Sequence, residues 1–371
     1  MNWPTRKLGK ICRIQTGKKD VNEGNPFGKY PFFTCSRERT YSDTYSFDTE
    51  AILVAGNGDV GNTHIYKGKF EAYQRTYVLD RFSENTKFIC YYLVGNLKRI
   101  LTRSKSGSTI PYIRKGDLEN FQIPLPSLSI QQKIVSILDT IQSAIEVQEK
   151  MVEKTKELKK SMMAEIFNSK FKIQKSKLQF KIQKWVKLET ICRPRKEQIL
   201  PRVDDKYIGL EHLDSGEIAI KRFGNGCEVR SSKNKFYPGD ILYGKLRPYL
   251  DKAALINFEG ISSTDLLVLV CDKKEILPEY LIHILHLPEF VNFAISTTTG
   301  TNHPRTSWEA LKTFKVPLIS LLEQQEIAEI LQTIDQKIEI EKKKKELYEE
   351  LFKTMLNKIM NQEIDVEKLN L

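Results

Sequence analysis

The chain has 371 residues, 40% hydrophobic and 29% charged, the balance of a folded globular protein and not of a disordered one. At roughly 100 to 200 residues per domain it predicts two or three domains with cores of their own. Lys and Arg outnumber Asp and Glu by 59 to 47, a net charge of +12, which favours a polyanionic partner, and no apolar run approaches the ~20 residues of a bilayer span, which excludes membrane insertion. The opening MNWPTRKLGK lacks the apolar core of a secretion signal. Six scattered cysteines (Cys12, Cys35, Cys90, Cys192, Cys227 and Cys271) with no C-x-x-C pair read as reduced and mostly buried, so a cytoplasmic protein is expected.

Residues 1–122 read as a strand-rich mixed module. Apolar runs at Ala51 to Ala55 and Ala72 to Leu79 are punctuated by Gly, Asn and Asp, and a helical patch covers Phe88 to Leu101. Gly56-x-Gly58-x-x-Gly61, with Asp80 about twenty residues on, superficially fits a dinucleotide-binding loop. A helix must follow those glycines to meet a pyrophosphate, whereas NTHIYKGKFEAY alternates like a strand. The segment therefore predicts a hairpin turn, and a nucleotide-dependent enzyme is the alternative it competes with. Asn25-Pro26-Phe27 hints at the catalytic loop of adenine N6-methyltransferases but lacks its second proline, and no glycine-rich cofactor loop accompanies it.

Residues 123–168 predict a long amphipathic helix, because Ile130, Ile134, Ile137, Ile141, Ala144, Met151, Leu158 and Met162 recur at three- and four-residue steps. Ser129-x-x-Gln132 looks like its capping box, after a Pro-rich stretch that blocks an earlier start. Residues 169–184 form a basic linker without an acidic residue. Residues 185–315 repeat the mixed character, with strand-like runs at Asp240 to Tyr243 and Leu266 to Val270 and a helical patch over Pro278 to Phe293. His283-x-x-His286 shares a helix face there, yet no third ligand stands at a metal-site spacing, so a structural role is expected. Residues 316–361 predict a second long helix through Ile327, Leu331, Ile334, Ile338, Leu351, Met355 and Ile359, capped by Ser320-x-x-Glu323, and 362–371 form a tail.

The two halves are one plan repeated. The helix beginning at Ile123 matches the one beginning at Val316 at an offset of 193, with 20 identities in 45 ungapped positions. The match reaches back through Gly107, Pro111, Leu118 and Phe121, which fall on Gly300, Pro304, Leu311 and Phe314. Rods of about 40 residues at ~1.5 Å per residue cannot hide their apolar stripes on small modules, so the helices are expected to pack on each other as an antiparallel coiled coil. The predicted fold class is α+β, with two modules in pseudo-two-fold tandem.

No catalytic constellation emerges from spacing, and basic, amide and aromatic clusters in loops remain. Phosphate positioning needs Lys, Arg and hydroxyls, while base reading needs Arg, Asn or Gln fixed against groove edges. The candidate DNA-binding residues are Lys18, Lys19, Arg37, Arg39, Asn57, Arg75, Lys105, Ser108, Thr109 and Arg114 in the first module. In the second they are Lys233, Lys245, Arg247, Tyr249, Lys252, Thr298, Asn302, His303 and Arg305, with Arg193, Arg195, Lys196 and Lys235 in the same basic stretches.

The module-helix-module-helix order, with P-L-x-S-L-x-x-Q-Q-x-I before each coiled segment, resembles the specificity (S) subunit of Type I restriction-modification systems over nearly the whole chain. Residues 236–269, FYPGDILYGKLRPYLDKAALINFEGISSTDLLVL, look like a target-recognition domain of that family, and residues 49–79 like its first-half counterpart. The resemblance implies a non-catalytic subunit. Each recognition domain reads one half of a bipartite, asymmetric site on double-stranded DNA, and the helices hold the halves at a fixed spacing. The chain docks two methyltransferase (M) subunits and is joined by restriction (R) subunits. It implies no cofactor in this chain: S-adenosylmethionine belongs to the M subunits, ATP and Mg²⁺ to the R subunits. A related Type IIB system, whose specificity subunit joins a fused nuclease-methyltransferase, is the close alternative.

Overall fold

The computed structural model describes residues 3–36, 38, 40–97, 112–167 and 182–368. The chain forms two compact units, one of residues 1–150 with 342–371 and the other of residues 151–341. These units cut each long helix in two, because each module's core takes in apolar residues from both helices.

In the first unit, β1 (Thr5–Lys7), β2 (Arg13–Thr16), β3 (Tyr30–Phe33), β4 (Thr40–Ser42), β5 (Phe47–Ala55), β6 (Thr63–Ala72) and β7 (Thr76–Asp80) precede α1 (Thr86–Asn96), α2 (Lys115–Glu119), β8 (Gln122–Pro124) and the long α3 (Leu128–Phe167). A six-stranded sheet has the order β2-β7-β5-β6-β3-β4, and β1 pairs antiparallel with β8, seating the start of the chain beside the entrance to α3. The apolar residues of β5 and β7 alternate between two clusters. Ile52, Val54 and Leu79 face a core with Phe88, Leu93, Ile134 and Leu138, while Leu53 and Val78 pack with Phe70.

The second unit repeats the frame. It holds β9 (Lys184–Lys187), β10 (Cys192–Pro194), β11 (Gln198–Ile199), β12 (Lys206–Ile208), β13 (Gly224–Asn225), β14 (Lys233–Phe236), β15 (Ile241–Gly244), β16 (Ala253–Leu255), β17 (Gly260–Ser262) and β18 (Leu266–Cys271). Helices α4 (Pro278–Leu285), α5 (Pro288–Ser296) and α6 (Trp308–Leu311), strand β19 (Lys315–Leu318) and the long α7 (Leu321–Met360) follow. The helical patch expected over Pro278 to Phe293 is two helices, because Pro288 has no N–H to continue the first turn-to-turn ladder and opens the second instead. The strands form sheets of order β10-β18-β15-β16 and β11-β14-β17-β12-β13, and β9 pairs with β19 as β1 does with β8. The same bond closes both frames: Leu8 N–H donates to the Phe121 carbonyl at 2.8 Å, Leu188 N–H to the Phe314 carbonyl at 2.9 Å.

The two long helices form the expected antiparallel coiled coil. In the first unit Lys345 of α7 meets Glu149 of α3 at 2.9 Å; in the second, ten residues further along α3 and ten back along α7, Lys159 meets Asp335 at 2.5 Å. The capping box of α7 is as predicted, with Ser320 N–H donating to Glu323 Oε2 at 2.9 Å and Glu323 N–H to Ser320 Oγ at 3.3 Å. That of α3 is corrected: the helix begins at Leu128, directly after Pro126 and Ser127, and Ser127, not Ser129, receives the Ile130 N–H, two residues earlier than the Ser-x-x-Gln spacing suggests.

Candidate nucleic-acid interface

In the first module three segments converge on one hairpin. The glycine-rich segment 56–62 joins the antiparallel strands β5 and β6, as its alternation predicts. Gly56 N–H donates to the Arg75 carbonyl at 3.0 Å, Asp59 N–H to Cys35 at 3.1 Å, and Ile113 N–H to the Gly56 carbonyl at 2.9 Å. Tyr77 Oη adds a bond to the Ile113 carbonyl at 2.9 Å. Glycine is required at position 56, since a Cβ there stands 2.6 Å from the Arg75 carbonyl oxygen, and Gly58 has a φ of +61°. This knot presents Asn57, Arg75 and Arg114 near one another. Arg75 and Arg114 are exposed, and Arg114 lies over the Tyr112 ring at 5.3 Å with Nη2 on its hydroxyl. Arg37, Arg39, Lys105, Ser108 and Thr109 lie outside the described residues.

The second module makes the equivalent knot. Thr306 N–H donates to the Lys245 carbonyl at 3.0 Å, as Ile113 does to Gly56, and Thr306 lies 193 residues after Ile113, the offset of the helix repeat. Lys245 N–H reaches Asp265 at 2.9 Å and Arg247 N–H reaches Pro304 at 2.8 Å, while Thr299 and Arg305 exchange both of their backbone bonds at 3.0 Å. The loops carrying Lys245, Arg247 and Tyr249 and those carrying Thr298, Asn302, His303 and Arg305 are thereby one surface. Arg247 adopts the left-handed region at φ +52°, which costs any residue with a Cβ energy and persists because both sides of the loop are pinned; its Nε is buried without a partner. Tyr249, Asn302 and His303 are exposed, and Arg305 faces Asp265 at 3.1 Å.

Other predicted residues are turned inward, and their placement corrects the sequence reading. Lys233 is buried and donates to Ser231 Oγ at 2.6 Å; Lys235 is buried and pairs with Glu259 at 2.6 Å. Lys252 donates to the Leu210 carbonyl at 2.7 Å, and Lys19 holds the hydroxyls of Ser42 and Thr44 at 2.9 and 2.7 Å. Arg195 forks onto Asp240 at 3.0 and 2.8 Å, its guanidinium held protonated by that bond, and matches Arg13, which forks onto the buried Asp80. In each case a lysine or arginine serves a carboxylate, hydroxyl or carbonyl of its own module. Lys18 is exposed.

The sequence reading missed an aromatic and basic patch on the β3–β4 side of the first module. Tyr30 and Tyr45 stand 4.9 Å apart, Lys29 lies 5.5 Å from the Tyr30 ring and Lys69 4.6 Å from the Tyr45 ring. Its signal in the sequence is the run of aromatics through 27–45 with a single lysine, Lys29, while Lys69 joins it only through the pairing of β5 with β6, which has no local signature. The two histidines of the second module part company: His283 is buried, while His286 sits between Asp251 Oδ1 at 2.7 Å and the Ala253 carbonyl at 3.1 Å. Among the described residues no three His, Cys, Asp or Glu side chains group as metal ligands, and no helix is long and apolar enough to cross a membrane.

Two α+β modules with equivalent pinned loops, on a shared pair of antiparallel helices, define the class as a tandem recognition scaffold. The family model for the Type I restriction modification DNA specificity domain matches residues 1–160 and again 192–350, and the chain belongs to that family. It is 31% identical over 359 residues to the EcoDI specificity subunit of Escherichia coli, covering 88% of this chain and 80% of that one. It is 25% identical to the MjaVIII specificity subunit of Methanocaldococcus jannaschii, over 100% of this chain and 94% of that one. The fold is that of the crystal structure of a Type I restriction-modification S subunit from M. genitalium, with a TM-score of 0.62, 19% identity and 96% coverage of both chains.

Proposed function

We propose that this specificity subunit reads a bipartite, asymmetric site on duplex DNA, one half per module, and itself performs no catalysis. The observation that carries the reading is the duplicated loop knot, Ile113 on Gly56 and Thr306 on Lys245. The same backbone frame carries different side chains at its rim: Asn57, Arg75 and Arg114 in one module, Lys245, Arg247, Tyr249 and Asn302 in the other. One frame with two sets of side chains suits two different half-sites, and a chain of net charge +12 suits phosphate contact on both. The helices set the gap between half-sites, and their similar sequences offer similar surfaces to two methyltransferase subunits, with restriction subunits joining the complex. S-adenosylmethionine, ATP and Mg²⁺ act in those partners.

The test is a methylome. The chain, expressed with its neighbouring methyltransferase subunit in a methylation-free host, is expected to leave methyladenine at a gapped, two-part motif. An assembled complex marking an ungapped or single-part motif would contradict the two-reader scheme.

A further inference from the structure

We propose that Phe27 is a wedge that enters a base-pair step of DNA beside the half-site of the first module; the inference rests on the DNA-reading function proposed above. Phe27 is 95% exposed, an unusual position for a large apolar ring, and it is not on a loose loop. Pro26 fixes the approach to the tip. The Phe27 N–H donates to Asn25 Oδ1 at 3.0 Å, and Gly28 N–H closes the turn on the Asn25 carbonyl at 2.9 Å. Asn25 is anchored in turn, its N–H on the Tyr41 carbonyl at 2.8 Å and its amide nitrogen 3.1 Å from both Asp43 oxygens. Gly28 lies flat on the Ser42 backbone, where a Cβ would stand 2.6 Å away. The ordering cost of presenting the ring is therefore met before any partner arrives.

The surroundings select a nucleic acid. Tyr41 and Tyr45 are 37% and 41% exposed on the same patch, and Lys29 and Lys69 stand over the Tyr30 and Tyr45 rings, so cations rim the apolar tip. Of the acids near the patch, Asp43 is engaged by Asn25, Asp20 by Asn22 N–H and Gln74, and Glu23 by the Asp20 N–H, while Asp48 stands opposite Lys69 in the pairing of β5 with β6. The patch is also continuous with the loop knot. Ser42 holds Lys19, Gln74 N–H donates to the Lys19 carbonyl at 3.0 Å, and the next residue, Arg75, receives Gly56. A rigid phenyl among lysines matches the apolar side chains that partly unstack a base step while basic groups take the flanking phosphates.

The experiment uses the assembled methyltransferase complex and duplexes of its own methylation motif, with 2-aminopurine placed in turn at each step of the first module's half-site and its flanks, the methyl-accepting adenine left unlabelled. Binding is expected to raise fluorescence at one step. Phe27→Ala should abolish that rise and weaken binding on the order of tenfold, and Phe27→Leu should keep most of both. No unstacked step in the wild type, or a rise that survives Phe27→Ala, overturns the wedge while the gapped motif stands. Loss of methyltransferase assembly in Phe27→Ala also overturns it, by making the tip a protein contact. Absence of any gapped motif removes the function beneath it.

Discussion

The buried carboxamide of Gln131 accepts the backbone N–H of Asn85 at 3.0 Å, and in the second unit Gln324 accepts that of Leu277 at 2.9 Å. Asn85 and Leu277 are the N-caps of α1 and α4, so each glutamine, one turn into a long helix, seats a module helix by its end. Each amide also donates back to its own entrance, Gln131 to Pro126 at 3.0 Å and Gln324 to Ile319 at 3.1 Å. Gln131→Leu and Gln324→Leu keep the bulk but orphan a buried N–H and a carbonyl. Each is expected to cost about 1–3 kcal/mol, read as a lowered urea midpoint, and the two losses should add because they share no partner.

His283 supplies a pH dependence. Burial, then the nearby Lys159 and His286, depress its pKa from the usual 6.5 to about 3. The folded chain therefore binds fewer protons at this site than the unfolded chain between those values. Stability from this residue is present above pH 6.5 and lost as pH falls, by up to about 1.4 kcal/mol per pH unit. His283→Leu, which also removes the unpartnered Nδ1, is expected to flatten the difference in urea midpoint between pH 7 and pH 5.

The thiols divide in the opposite direction. Burial raises Cys12, Cys90 and Cys271 to about 12 and Cys192 further, while Cys227 is exposed. At pH 8 the raised thiols stay protonated and unreactive. Iodoacetamide followed by mass spectrometry is expected to label Cys227 first and to reach Cys90 and Cys192 only on unfolding.

What the sequence discloses follows from which interactions are local. The long helices were legible because a 3.6-residue period survives over forty residues, and the hairpin at Gly56 because glycines interrupt a two-residue alternation. The pairing of β1 with β8, and the seat that Gln131 makes for Asn85, join residues distant in sequence and have no local signature. Of the candidate site, the sequence discloses residue types but not their burial. Arg75 is exposed, as the residue types of its loop announce, while Lys245 and Arg247 in a similar loop are half-buried. Lys233 and Lys235 belong to β14, whose KNKF pattern shows no apolar alternation, so charge was read as exposure where hydrogen bonding had paired it inside.

On the proposed function, the same contrast separates contact from support on DNA. Arg75→Ala and Arg247→Ala should weaken cognate binding by the assembled complex, and each phosphate contact removed should lower the slope of log affinity against log salt by about one. Lys233→Ala should leave that slope unchanged and lower thermal stability. A salt titration of the three variants checks the assignment.

The ion pairs Glu149–Lys345 and Lys159–Asp335 give the spacer helices a register that a deletion must respect. Removing residues 150–156 of α3 with 338–344 of α7 takes out one heptad from each helix between those pairs, so both apolar stripes rejoin in phase. Seven residues at ~1.5 Å shorten a helix by ~10 Å, close to three base pairs of B-form DNA at ~3.4 Å each. On the proposed function, the methylome of this variant is expected to show both half-sites unchanged and the gap reduced by about three base pairs. An altered half-site beside an unaltered gap would mean that the helices do not set the spacing.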